Sequence, residues 1–231
     1  MEYGVRKTSG HSNQEKSVLL AGATGLVGSE LLLQLFADSE ISKVLVLGRR
    51  EPPHRHPKLE WIKTDFEDLW SVASEVRAEI LFCCLGTTRK KAKSPHEFRR
   101  VDFEFVRKLG RLCVYRGIPK FSLVSARSAN LRSPWLYFRT KAEIEREILA
   151  LPIPQIQIFR PSLLEGQRPE SRLGEGILLS LVRSPVGRLF GKRHLLSCST
   201  SSLAGVMLKE AKRDSFEKRV YEMEDISGGD L

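Results

Sequence analysis

The chain has 231 residues, 41% of them hydrophobic and 29% charged, enough for one large domain with a real core and unlike disordered, collagen-like or disulfide-scaffold chains. Lys+Arg 38 against Asp+Glu 28 leaves a net charge of +10. Such an excess draws anionic partners (a phosphorylated coenzyme, an acidic lipid face, nucleic acid) or is simply a solvated basic surface.

Met1 to Lys16 is polar, without an apolar signal core, and reads as a flexible N-terminal tail. Apolar runs such as Val18 to Ala21, Ile80 to Leu85 and Ile177 to Val182 fall well short of the roughly 18 residues that span a bilayer. No membrane span is expected, and cytoplasmic localisation is the default. Cys83, Cys84, Cys113 and Cys198 have no CxxC or zinc spacing and read as reduced core residues. His54-Arg55-His56 lacks partners at ligand spacing, so no metal is expected.

The first predicted strand, Ser17 to Ala21, runs into Gly22-Ala23-Thr24-Gly25-Leu26-Val27-Gly28 and a helix over Leu26 to Ala37. The GxxGxxG spacing supplies a tight turn at Gly22, a bare backbone at Gly25 for a pyrophosphate, and close helix-on-strand packing at Gly28. Exposed amides at the helix start then hold phosphate. Gly22, Thr24, Gly25, Leu26, Val27 and Gly28 are therefore coenzyme-binding candidates. The second strand, Lys43 to Leu47, is followed by Gly48-Arg49-Arg50, where an NAD enzyme usually places an acid for the ribose hydroxyls. Two arginines there suit a 2′-phosphate, so NADP(H) is preferred and NAD(H) less expected.

A third strand, Leu59 to Ile62, leads to Asp65, placed either for the adenine amino group or as the N-cap of a helix over Phe66 to Val76. Phe66 is counted with the coenzyme-binding set. The strand Ile80 to Leu85 ends at Gly86 and Thr87, ahead of a helix over Pro95 to Tyr115. Between them lies the basic run Arg89-Lys90-Lys91-Ala92-Lys93, with Arg99-Arg100 beyond it. It serves as a solvated loop, as a means of steering coenzyme or substrate, or as a nucleic-acid contact; the lack of interleaved aromatics makes nucleic acid the least favoured.

Lys120 to Ser125 (strand), Pro134 to Ala150 (helix) and Gln155 to Phe159 (strand) continue the alternation. Apolar strands joined by helical crossovers define an α/β, doubly wound parallel-sheet Rossmann fold. After Pro161 the composition turns to Gly, Arg, Ser and Pro. A small C-terminal substrate lobe is expected at about residues 162 to 200, with a helix near Gly176 to Val182 and a short strand at Leu195 to Ser199. A helix over Ser201 to Lys212 and a last strand at Arg219 to Met223 close a single domain of residues 17–225, with a tail at 226–231.

Tyr137 and Lys141 are four apart, so on a helix both project from one face. An ammonium beside a phenol favours the phenolate, which fits the tyrosine for proton exchange with a carbonyl or alcohol. Ser125, at the end of the preceding strand, is the candidate for hydrogen-bonding the substrate oxygen. Ser128 is its rival, and a purely structural serine is the alternative.

These residues resemble the short-chain dehydrogenases/reductases, in their extended or atypical branch. The resemblance rests on the Gly22 to Gly28 loop, on Tyr137 and Lys141, and on Phe159-Arg160-Pro161. Within that branch, Phe82-Cys83-Cys84-Leu85-Gly86-Thr87-Thr88-Arg89, Val101-Asp102 and Glu170-Ser171-Arg172 are similar to the subgroup that includes the Tat-interacting protein and its bacterial relatives. The likeness covers roughly residues 17 to 225. It implies an NADP(H)-binding fold with Tyr137 as proton donor and Lys141 on the nicotinamide ribose. It also implies Leu85 and Gly86 beside the adenosine half, Leu164 at the nicotinamide end and Arg172 on a coenzyme phosphate.

An oxidoreductase transferring hydride to or from a carbonyl or alcohol is the expected function, its small-molecule substrate unnamed. The alternative is a non-catalytic NADPH-binding regulatory protein, with a protein partner or a homodimer as its context.

Overall fold

The computed structural model describes residues 16–87, 92–165 and 197–227. Seven parallel strands form the main sheet in the order β3-β2-β1-β4-β5-β6-β9. They are β1 Lys16–Ala21, β2 Ile41–Gly48, β3 Leu59–Lys63, β4 Ile80–Cys83, β5 Lys120–Val124, β6 Gln155–Phe159 and β9 Lys218–Tyr221. Two short strands, β7 Leu163–Glu165 and β8 Ser197–Ser199, pair in parallel apart from it. The helices are α1 Leu26–Ala37, α2 Pro95–Arg99, α3 Val106–Arg116, α4 Leu136–Leu149, α5 Thr200–Lys212 and α6 Met223–Ser227. The sheet and its flanking helices are the doubly wound α/β architecture expected from the alternation of elements.

Because successive strand residues point to opposite faces, β1 divides its side chains between two cores. Leu19 and Ala21 join Leu109, Leu112, Ile144 and Ile148 of α3 and α4. Val18 and Leu20 join Leu31, Leu32 and Leu35 of α1 with Leu203 and Met207 of α5. Strands covered on both faces need apolar residues at every position, which is why they read as unbroken runs.

Three helices depart from the expected ones, among them α6, which takes Met223–Ser227 from the expected last strand and tail while the strand itself ends at Tyr221. The helix anticipated from Phe66 is a 3-10 helix over Leu69–Glu75, capped by Asp68, whose Oδ1 accepts from the Ser71 amide. Phe66 has φ 70°, a left-handed conformation that no helix start can use. The helix expected over Pro95 to Tyr115 is present, but residues Arg100–Phe105 form a π turn between α2 and α3. The expected helix near Gly176 to Val182 and most of the expected lobe lie outside the described residues.

Candidate active site

Beyond the C-terminal ends of β1 and β4 the chain crosses to opposite sides of the sheet, and a crevice opens at that switch point. A cavity of about 550 Å³ occupies it, running from Thr24 and Leu26 past Leu85 and Gly86 to Tyr137 and Lys141. A smaller pocket of about 100 Å³ continues toward Arg49, Arg50 and Phe66.

The glycine loop builds one end from backbone. Gly22 has φ +92°, and a Cβ there would lie 2.6 Å from the Cys84 carbonyl carbon and oxygen. A Cβ on Gly28 would overlap the Gly22 carbonyl oxygen, so α1 approaches β1 as closely as backbone allows. Gly25 is the N-cap of α1 and no side chain caps that terminus. The first-turn amides therefore face the crevice without an intrahelical acceptor, the arrangement that binds phosphate. Thr24, Leu26 and Val27 line the same wall.

Arg49 and Arg50, exposed at the end of β2, border both cavities. Phe66 reaches the smaller pocket and stacks on Phe105, ring centroids 5.6 Å apart. Its positive φ, costly for a bulky residue by about 1 kcal/mol or more, is held by that packing. Asp65 is exposed and borders neither cavity; its Oδ1 accepts from the Glu67 amide at 2.9 Å. The helix-cap expectation is corrected, since Asp68 and not Asp65 caps the helix that follows.

The other end is built from side chains. Tyr137 lines the cavity from the first turn of α4, its ring against Phe98 and Phe138. One turn on, Lys141 is 4% exposed and its Nζ lies 2.9 Å from Oδ1 of the fully buried Asp102. Burial alone would lower the lysine pKa. The charges of Asp102 and Tyr137, the hydrogen bond to Asp102 and the Cys83 thiol outweigh it, and the net displacement is upward. The other Asp102 oxygen, Oδ2, accepts from the Thr87 amide at 2.8 Å. Burial pushes the Cys83 thiol beside this pair up to about 12.

Ser125 closes β5 and touches the cavity, but its hydroxyl donates to Oε1 of Glu145, which is 3% exposed. Arg160 pairs with that carboxylate through Nε and Nη2, and with Glu222 at 2.8 Å through Nη1. A carboxylate bound by guanidinium can only accept, so the Ser125 proton is committed and the oxygen offers lone pairs. Ser128 is exposed and outside the cavity, whereas Ala126 and Leu164 line it. Arg172, Thr88, and Arg89 to Lys91 of the basic run lie outside the described residues.

Asp102 and Glu145 carried no expected role, although signals for both exist. Tyr137, Lys141 and Glu145 recur at four-residue spacing, a polar stripe on a helix whose Ile144 and Ile148 are buried. Asp102 is an acid set among the apolar Val101, Phe103 and Phe105.

A Rossmann crevice with a glycine loop at one end and a Tyr-Lys pair at the other defines the class of NAD(P)-binding, oxidoreductase-like proteins. The chain belongs to the NAD dependent epimerase/dehydratase family, which it matches over residues 18–151. It is 38% identical over 168 residues to "Protein HTATIP2" of Rattus norvegicus, covering 70% of this chain and 68% of that protein. It is 30% identical over 210 residues to "Protein FMP52-1, mitochondrial" of Scheffersomyces stipitis, covering 87% and 90%. Among solved structures, MoeE5 in complex with UDP-glucuronic acid and NAD has the same fold, with a TM-score of 0.70 at 20% identity over 90% of this chain and 76% of that one.

No helix among the described residues is long and apolar enough to cross a membrane. The cytoplasmic expectation is corrected: relatives from S. stipitis, Candida albicans and Meyerozyma guilliermondii are named as mitochondrial proteins.

Proposed function

We propose that the protein is an NADP(H)-dependent oxidoreductase acting on a carbonyl or alcohol, with Tyr137 as its acid/base. The observation that carries this reading is the single cavity joining the glycine loop to Tyr137 and Lys141, with Arg49 and Arg50 at its border. The coenzyme, when bound, supplies the hydride. The amides at the start of α1 hold its diphosphate, and Arg49 and Arg50 pair with a 2′-phosphate. Leu85, Gly86 and Thr87 flank the adenosine half, Leu164 the nicotinamide end, and Arg172 a phosphate. Lys141 holds the ribose and keeps a positive charge beside the phenol; Tyr137 gives or takes the substrate proton. Ser125, its own proton on Glu145, holds a substrate hydroxyl by accepting from it.

NADPH and NADH titrations by fluorescence test the coenzyme preference. We expect NADPH to bind at least about tenfold tighter and Arg49→Asp to erase the difference. Tyr137→Phe is expected to keep NADPH affinity and lose about two orders of magnitude or more in turnover of a responsive carbonyl. Equal turnover by the two proteins removes the tyrosine from the chemistry.

A second reading, a coenzyme-binding regulatory protein without turnover, is favoured by the commitment of Ser125 to Glu145. That withdraws the Ser125 proton from the cavity. Tight NADPH that stays unoxidised across a carbonyl panel supports it.

A further inference from the structure

The π turn at Arg100–Phe105 interrupts a helix that otherwise runs from Pro95 to Arg116. A π turn inserts an extra residue into the helical ladder and redirects the side chains within it, and such turns collect at functional sites. Here the redirected side chain is Asp102, which is fully buried.

Its two oxygens face different elements. Oδ1 meets Lys141 Nζ of α4 at 2.9 Å, and Oδ2 accepts from the Thr87 amide, just past β4, at 2.8 Å. Gly86 lies against the pair: a Cβ there would be 3.4 Å from Asp102 Oδ1 and 3.7 Å from Lys141 Nζ. The carboxylate therefore links the loop proposed to flank the adenosine half with the lysine proposed to hold the ribose.

We propose that Asp102 is the positioning residue of this site, fixing the Lys141 ammonium against the Leu85-Gly86-Thr87 loop so that the coenzyme meets a lysine already placed and charged. This rests on the coenzyme-binding reading above. Asp102 borders the cavity but acts through Lys141, because Oδ1 faces the ammonium at ion-pair distance and Oδ2 accepts from the Thr87 amide. The charged and titratable groups facing Lys141 are Asp102 from the π turn, Tyr137 from its own helix and the Cys83 thiol from β4. Of these, only Asp102 forms an ion pair with it. Without that carboxylate the largest influence opposing burial is gone, and the lysine loses its proton at a lower pH.

The test uses the full chain and the Asp102→Asn variant, whose amide oxygen can still accept from Thr87. NADPH is titrated at pH 7 and pH 9, and the Lys141 side-chain NMR resonance is followed over the same range, assigned by its loss in Lys141→Gln. Wild-type protein should bind NADPH equally well at both pH values, with a static Lys141 resonance. In Asp102→Asn, Lys141 should titrate within the range and NADPH affinity should fall several-fold more between pH 7 and pH 9 than in the wild type. The same pH response in both proteins overturns the proposal. A wild-type protein that binds no NADPH overturns the underlying reading instead.

If Asp102→Asn does not fold, the Asp102→Asn/Lys141→Gln double variant removes both charges from the interior. Compared with Lys141→Gln alone, it should bind NADPH equally well or better at either pH, because Asp102 acts only through the lysine. A further loss of affinity from the added asparagine overturns the proposal.

Discussion

At the β1–α1 end of the cleft the protein presents backbone; at the β4–β6 end it presents charged side chains held by other charged side chains. The first end comes from one short stretch, Gly22 to Gly28, whose close neighbours are the Gly22 and Cys84 carbonyls. The second joins Asp102 to Lys141, Ser125 and Arg160 to Glu145, and Arg160 to Glu222, partners brought together from separate strands and helices. A site built from backbone fails by collision, whatever the pH. A site built from charges fails when one partner is removed, and its failure depends on pH.

The largest effect expected from this contrast is at Gly28. Gly28→Ala places a methyl onto the Gly22 carbonyl oxygen, and neither group belongs to a flexible side chain that can move aside. We expect a loss of about 3 kcal/mol or more in urea denaturation, unchanged between pH 6 and pH 9, and no measurable NADPH binding. Near-wild-type stability would show that α1 can slide away from β1, and that the loop is less constrained than its geometry indicates.

Next comes the charged end. Arg160→Met leaves the Glu145 carboxylate in the interior without its guanidinium, which the Ser125 hydroxyl alone does not replace. Breaking a fully buried pair costs about 3–5 kcal/mol. The Arg160 side chain is 24% exposed, so about 2 kcal/mol is expected here, read as a shifted urea midpoint. The double variant Arg160→Met/Glu145→Gln, which removes the stranded charge, should recover part of the loss; no recovery would assign the effect to packing of the arginine stem.

The same contrast explains what the sequence could reveal. The glycine loop and β1, α1 and β6 are local: steric need at Gly22 and Gly28, and unbroken apolar runs in the strands, are written in neighbouring residues. Arg49 and Arg50 were legible for the same reason, standing where the second strand ends. Phe66 was misplaced as a helix start because its left-handed backbone is stabilised by the ring of Phe105, a contact no local pattern announces. Asp65 holds a local turn through one oxygen, which accepts from the Glu67 amide, and caps no helix. Ser125 stands at the strand end that the sequence indicates, but the direction of its hydrogen bond is not legible there, since Glu145 reaches it only once α4 packs beside β5. The π turn depends on where Asp102 can find Lys141 and Thr87, a matter of tertiary structure.

The smallest expected effect lies outside the cleft, in a half-exposed cluster that serves as the control for the buried one. Lys212, at the end of α5, donates to Asp38 Oδ2 and Glu40 Oε1, each at 2.7 Å, and so ties α5 to the turn between α1 and β2. Burial raises the Asp38 pKa, but Lys212, the Glu40 amide and Lys58 outweigh it and the net displacement is downward. Glu40 is lowered chiefly by its hydrogen bonds to Lys212 and Lys16. Burial lowers Lys212, but both carboxylates raise it and the net displacement is upward. Carboxylates lowered in the folded state add stability above their unfolded pKa of about 4, and that stability is lost as pH falls through the folded values. The raised lysine adds stability below about pH 10.4, lost only as pH rises through its higher folded value. Between those limits the contribution is constant, so Lys212→Met should cost about 1 kcal/mol at pH 7, in the range of exposed networks. Toward pH 3, as the wild-type carboxylates approach their lowered folded values and begin to lose this contribution, the gap between the two urea midpoints should narrow. A gap of the same size at both pH values would mean that the lysine stem packing on α1, and not its charge, is what holds α5 in place.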